Sequence, residues 1–290
     1  MRFRFFLLWC CCFTLLLTGG WLLFCHQVVE SRDVQIVEQE FTFPQWPADT
    51  PPVRAAVLAD PHLAFWDGEK LDRIVRMIQE LRPDVIFMLG DFPYGVLNRF
   101  SLKEDVCYEK LAPLAETAPV FYVIGNHDGY YRRMRTGFRR LGFASCENAT
   151  RRWRFSPTQP LDICGLTWSY GPKLDRHLPR NVAQAGDAPL LVISHYPESF
   201  YKHPLPCADL VLAAHTHGGQ ICDRLGMPLF PFGMLTREQA RGGWHEGAGG
   251  TPLYITRGIG MSKLPLRLNC PGEITLFILR GGAPSDAQAE

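Results

Sequence analysis

Five short apolar runs, each ending abruptly in Asp, Asn or His, constrain this chain more than anything else in it. The clearest is residues 119–128, where Val120, Phe121, Tyr122, Val123 and Ile124 run into Gly125, Asn126, His127 and Asp128. A run of β-branched and aromatic residues of that length reads as a buried strand. Val57-Leu58-Ala59 runs in the same way into Asp60-Pro61-His62, and Val85 to Leu89 runs into Gly90-Asp91. Later strands end in His195 and in His215-Thr216-His217. In α/β proteins a strand end is a rigid mount, and the loop after it carries the chemistry. A lone Asp at a strand end is usually a turn former or helix cap, and a lone His is usually structural. Those readings explain each residue singly but not five in succession.

Between these tips the chain alternates. Leu71, Ile74, Val75, Ile78 and Leu81 fall at helical spacing over residues 68–81, and Pro83 stops the helix, so a strand–helix–strand unit is expected. Residues 101–117 read as a second helix bent or ended by Pro113. After residue 160 strands are expected at 161–166, 190–194, 209–213, 252–256 and 274–279, with residues 226–250 as a long loop beside the site. The expected fold is α/β, with two mixed sheets packed as a sandwich flanked by helices. A helix over 130–141 would carry Arg132, Arg133, Arg135, Arg139 and Arg140, with Arg151, Arg152 and Arg154 nearby. It reads either as a landing surface for an anionic substrate or as a solvated helix face.

Residues 5–25 contain no charge and, as a helix, would span about 30 Å. Arg2 and Arg4 precede them and acidic residues dominate after them, which puts the N-terminus in the cytoplasm and the rest on the non-cytoplasmic side. The apolar run continues past Gly20, so a retained anchor is expected rather than a cleaved signal peptide. The expected organisation is an anchor over 1–25 and a stalk over 26–52 with an edge strand around Val34–Phe43. A catalytic domain over 53–280 and a disordered tail over 281–290 follow. The net charge of +1 names no nucleic-acid partner, and no Cys-x-x-Cys pair marks a structural zinc site.

The oxygen and imidazole donors at the tips suit Mn²⁺, Zn²⁺ or iron, manganese foremost, and are numerous enough for two ions. A bridging carboxylate such as Asp91 is what a two-metal phosphoryl-transfer centre needs. In their order, Asp60-x-His62, Gly90-Asp91, Gly125-Asn126-His127-Asp128, His195 and His215-x-His217 resemble the calcineurin-like metallophosphoesterase family. The resemblance covers residues 53–280 and departs from the family pattern at Ala214, where a glycine is usual. It implies one metal on Asp60, His62, Asp91 and His217, and a second on Asp91, Asn126, His195 and His215. It also makes His127 the acid that protonates the leaving alkoxide, oriented by Asp128.

The runs after His217 and around Arg257-Gly258 and Asn269–Thr275 resemble a bacterial membrane-associated branch acting on UDP-2,3-diacylglucosamine in lipid A synthesis. The expected activity is hydrolysis of a phosphodiester or pyrophosphate, on a lipid-linked substrate. Phe92-Pro93-Tyr94-Gly95 follows the Gly-Asp block where family protein phosphatases carry an arginine, which disfavours a phosphoprotein substrate. The alternatives are a phosphomonoesterase or an inactive membrane-tethered scaffold; the scaffold needs lost ligands, and none is lost.

Overall fold

The computed structural model describes residues 13–14, 17–20, 33–94, 98–130, 133–166, 188–262 and 264–282. The expected anchor lies almost wholly outside them, as does the tail from residue 283. Among the described residues no helix is long and apolar enough to cross a membrane.

Residues 13–14 and 17–20 are helical, and from residue 34 twelve strands and four α-helices follow one another along the described chain. The first sheet holds β1 (Val34–Phe43), β2 (Val53–Leu58), β3 (Val85–Met88), β4 (Val120–Tyr122), β5 (Ala144–Ser145) and β12 (Gly272–Gly281), in the order β1-β12-β2-β3-β4-β5. The second holds β6 (Ala149–Ser156), β7 (Gln159–Leu166), β8 (Leu190–Ser194), β9 (Leu210–Ala213), β10 (Gly243–Glu246) and β11 (Pro252–Ile255), in the order β10-β11-β9-β8-β7-β6. Both sheets are mixed. β2 to β5 are parallel with β12 antiparallel to β2, and β7, β8, β9 and β11 are parallel between two antiparallel edges.

The sheets face each other across one core. Val57, Phe87 and Val123 of the first meet Ile163, Ile193 and Leu212 of the second, with Trp46 and Phe277 in the same cluster. Central strands buried on both faces need unbroken apolar runs, which is why β3, β8 and β9 read as Val/Ile/Leu stretches without alternation. The helices α1 (Gly68–Glu80), α2 (Glu104–Leu111), α3 (Pro113–Thr117) and α4 (Met134–Arg140) cover the outer face of the first sheet. Leu71, Ile74, Val75 and Ile78 form the buried stripe of α1. Pro113 opens α3 at its first turn, where its missing N–H costs nothing.

Three expectations change. The strand expected in a stalk pairs with β12 along its whole length, and Phe41, Phe43 and Trp46 lie in the sandwich core. The folded unit therefore starts at residue 34, with β1 as its edge, rather than at 53. The loop expected over 226–250 contains β10, whose alternating burial and exposed Trp244 mark a sheet edge. Among the described residues Arg135, Arg139 and Arg140 lie on α4, Arg133 just before it and Arg151, Arg152 and Arg154 on β6, and several are neutralised. Arg152 grips Asp162 with two 2.8 Å bonds, Arg135 grips Glu147 with two 2.7 Å bonds, and Arg133 reaches Glu104. That pairing favours the solvated-face reading over a landing surface.

Candidate metal centre

Parallel strands end on one edge, and the sequence places a polar block after each end. β2 delivers Asp60 and His62, β3 delivers Asp91, β4 delivers Asn126, His127 and Asp128, β8 delivers His195, and β9 delivers His215 and His217. The sandwich brings the tips of both sheets together. The His215 N–H donates to Asp60 Oδ2 at 3.1 Å, and His195 Nδ1 lies 2.7 Å from the Leu89 carbonyl oxygen.

Two groups of side chains result, each with its ligand atoms within 4.8 Å of one another: Asp60, His62 and His217, and Asp91, His195 and His215. His62 Nε2 and His217 Nε2 are 3.1 Å apart, and His195 Nε2 lies 3.1 Å from His215 Nδ1 and 3.2 Å from Asn126 Oδ1. Asp91 Oδ2 is 3.8 Å from His62 Nε2 and 3.2 Å from His195 Nε2, so one carboxylate oxygen faces both groups. His62 Nδ1 donates to the Pro93 carbonyl at 3.0 Å and His195 Nδ1 to that of Leu89, which turns each Nε2 into the site.

Local backbone is bent to suit. Asp60, His62, Asp91, His215 and His217 all take positive φ, between 43° and 72°. Non-glycine residues in that region carry strain, which persists where function and surrounding structure demand it. Gly125 sits where a Cβ would run into the Asp91 carboxylate and within 2.8 Å of His195 Cε1, so no larger residue fits between the groups.

The electrostatics fit cations. Asp60 is fully buried, its Oδ1 has no hydrogen-bond partner, and burial pushes its carboxyl up to about 7. Burial lowers His62 to about 4 and holds His215 and His217 well below the usual range, so three imidazoles stay neutral and able to coordinate. Burial opposes charge on Asp91 and His195 as well, yet their mutual attraction wins. Asp91 is held below the usual carboxylate range and His195 is raised to about 10. A buried carboxylate oxygen left without a donor, beside neutral imidazoles, is a site short of positive charge.

Asp128 does not orient His127. Its carboxylate accepts the backbone N–H groups of Asp91 and Phe92, each at 2.8 Å, and of Gly125 at 2.7 Å. Asp128 thus ties the β3 loop to the β4 loop. His127 donates its own N–H to Asp91 Oδ1 at 2.8 Å, and its partly exposed ring holds Nε2 4.0 Å from Asp91 Oδ2.

Three further residues shape the site; Glu273 lies in the Asn269–Thr275 run, while Arg267 and Glu198 fall in none of the motifs. Arg267, 2% exposed, caps the carbonyls of His217, Arg257, Gly258, Gly260 and Cys270, with Nη2 3.3 Å from His217 Nδ1. Glu273 gathers Tyr254, Thr256, Thr275 and the Arg257 guanidinium under the same loops. Glu198, 8% exposed, lines the metal cavity with its Oε2 unpartnered, and burial raises its carboxyl. Its place three residues after His195 is the one signal that could have found it.

The cavity over the two groups is about 430 Å³ and is closed on one side by Phe232, whose ring is 5.0 Å from that of His215. A second cavity of about 490 Å³ adjoins it, sharing His62 and Ser262 and walled by Trp66, Tyr94, Lys70, Arg73 and Arg76.

A sandwich with ligand-bearing strand tips and paired three-residue metal groups defines a dimetal phosphoesterase. The chain belongs to the calcineurin-like phosphoesterase family, whose pattern matches residues 53–219. It is a metallophosphoesterase. Over 239 residues it is 31% identical to "Phosphodiesterase YaeI" of Escherichia coli (strain K12), covering 79% of this chain and 82% of that protein. It is 27% identical to a "Transmembrane protein with metallophosphoesterase domain" of Danio rerio, covering 85% of this chain but only 57% of that protein. It is 28% identical to "Uncharacterized metallophosphoesterase YkuE" of Bacillus subtilis (strain 168), covering 77% of each.

Proposed function

We propose that the protein is a membrane-anchored hydrolase of phosphodiester or pyrophosphate bonds working with two divalent ions. Asp60, His62 and His217 would hold one ion and Asn126, His195 and His215 the other, with Asp91 available to both. The observation that carries this reading is the single Asp91 oxygen facing His62 Nε2 at 3.8 Å and His195 Nε2 at 3.2 Å. When bound, the ions, manganese before zinc or iron, supply charge neutralisation on phosphoryl oxygens and acidify a water nucleophile.

The chain's own residues do the rest. The Pro93 and Leu89 carbonyls fix the orientation of the His62 and His195 rings, Arg267 ties the loop carbonyls around His217, Asp128 holds two loops in register, and Gly125 leaves room between the groups. His127, ring at the cavity wall and partly exposed, is the proton donor to the leaving alkoxide. The adjoining cavity takes the second arm of the diester, with Trp66 and Tyr94 as flat surfaces and Lys70 and Arg76 as cationic partners.

The uncharged stretch 5–25 supports membrane anchoring and, through it, a lipid-linked substrate. UDP-2,3-diacylglucosamine fits this proposal only if the domain faces the cytoplasm, where that precursor is made. Asp91→Asn tests the centre: an amide oxygen is a poor bridge between dications. The purified variant should bind fewer ions per chain and lose turnover of bis-p-nitrophenyl phosphate. Full metal occupancy with wild-type turnover would remove Asp91 from the shared position.

A further inference from the structure

The mouth of the metal cavity is walled by apolar side chains that the described residues leave uncovered. Phe65 and Trp66, in the turn before α1, are 60% and 58% exposed and meet edge to face at 4.5 Å. Elsewhere in the chain, Phe230 is 66%, Met234 70% and Leu264 53% exposed. Phe65 reaches the rim through its contact with Trp66, and Phe230 and Leu264 precede the cavity-lining Pro231 and Pro265 in the chain. Trp66 and Pro265 line the cavity that shares His62 and Ser262 with the metal cavity, and Met234 lines the metal cavity itself. Single exposed apolar residues are ordinary on a protein surface, but loop tips bearing them from separate parts of the chain around one opening form a patch.

The chain enters the fold at the same edge. β1 runs parallel to β12 with Val34 opposite Gly272, and the Glu273 N–H donates to Gly258 O, two residues from Gly260, whose N–H donates to Asp60 O. Asp33 lies 3.8 Å from Arg73, a residue of the adjoining cavity. Residues 26–32 separate this point from the uncharged stretch 5–25, and seven residues reach at most about 25 Å. Lys70, Arg73 and Arg76 line this side of the rim with Asp67 and Glu69, and Asp33 answers Arg73, so the charge there balances and the apolar side chains set the affinity.

We infer that the rim is a lipid-docking surface: Phe65, Trp66, Phe230 and Leu264 enter the interfacial layer of a bilayer, and the metal cavity opens against it. Aromatic rings sit well at that depth, where one side is apolar and the other wet. Docking stands on the rim itself; its use in reaching a lipid-borne phosphodiester rests on the proposed function.

The test uses residues 33–290, because both sheets and all three apolar clusters lie within residues 34–281. The fragment is mixed with phosphatidylcholine vesicles, with and without phosphatidylglycerol, in chelator so that no hydrolysis contributes. It should sediment with the vesicles whether or not phosphatidylglycerol is present, because the apolar rim carries the binding. Combining Phe65→Asp with Phe230→Asp should weaken partition roughly ten- to hundred-fold, from the apolar area withdrawn from lipid. Turnover of soluble bis-p-nitrophenyl phosphate by the metal-loaded variant should stay at the wild-type level, which shows that it folds. A wild-type fragment that stays in the supernatant overturns the inference, even if the full chain binds through residues 5–25, and so does a double variant that binds equally well. Loss of turnover in the wild-type fragment, with vesicle binding intact, would sink the phosphodiesterase reading and leave the docking surface standing.

Discussion

Replacing Asp128 by Asn separates a residue that holds loops from one that serves His127. The carboxylate accepts three backbone N–H groups, two on Oδ2 and one on Oδ1. The amide keeps one oxygen, which can serve the Asp91 and Gly125 N–H groups, and turns its NH₂ toward the Phe92 N–H. One hydrogen bond is lost and a buried donor is left unsatisfied. Burial and the neighbouring Asp91 charge push the Asp128 carboxyl up to about 7 against its three donors, so the bonds are not at full charge-assisted strength. The hydrogen bond is then worth about 1–1.5 kcal/mol and the orphaned N–H costs about 1–3 kcal/mol, roughly 2–4.5 kcal/mol together. For a domain of this size that is a fall in Tm of about 5–15 °C. The shift should be read by thermal unfolding of the chelated protein, so that metal release does not confuse it. Turnover in excess metal should fall equally for alkyl and p-nitrophenyl diesters, because loop register affects every substrate. An unchanged Tm with a loss confined to alkyl leaving groups would refute this and return Asp128 to the role of orienting His127.

Four further outcomes follow, three from the site and one from the N-terminal sequence. His127→Ala should keep both ions while slowing alkyl phosphodiesters by about 10²–10⁴. p-Nitrophenyl esters, whose leaving group needs no proton, should be nearly unaffected; equal slowing of both substrates would end the acid role. Metal affinity should rise with pH, because Asp60 at about 7 and His195 at about 10 must release protons when ions bind. The expected slope in isothermal titration is about tenfold per pH unit between 7 and 10 and steeper below 7, and a flat profile would contradict it. In the metal-free protein both groups have pKa values raised above their unfolded ones. Stability therefore falls as pH rises from 3.8 to about 7 on account of Asp60 and from 6.5 to about 10 on account of His195, which urea unfolding across both windows can check. Alkaline phosphatase fused after residue 50 should be active if Arg2 and Arg4 hold the N-terminus in the cytoplasm. Activity only from a cytoplasm-dependent reporter would reverse the orientation and bring UDP-2,3-diacylglucosamine within reach.

The sequence by itself determined which residues stand at the strand ends. An apolar run that stops at Gly or Asp is a local signal, carried by propensity and burial, and needs no partner strand to be read. That is why Asp60, His62, Asp91, Asn126, His195, His215 and His217 could be named together, and why α1 and Pro113 fell where the 3.6-residue pattern and the missing N–H put them. Only the tertiary structure decided what those ends do to one another. His215 and Asp60 are 155 positions apart and meet at 3.1 Å because two sheets pack face to face. Adjacency misled at Asp128: chain neighbours suggested an acid–histidine pair, while the turned loop aims its carboxylate at three backbone N–H groups. Arg267 and Glu198 were invisible for the same reason, since an arginine or a glutamate in a loop reads as solvated until a fold buries it. β6, with arginines at three of its eight positions, did not read as a strand, because an edge strand can hold charge on its open face and is defined by its pairing with β7 rather than by its own composition. Short-range pattern fixes what each segment offers, and burial with long-range pairing fixes which offers meet.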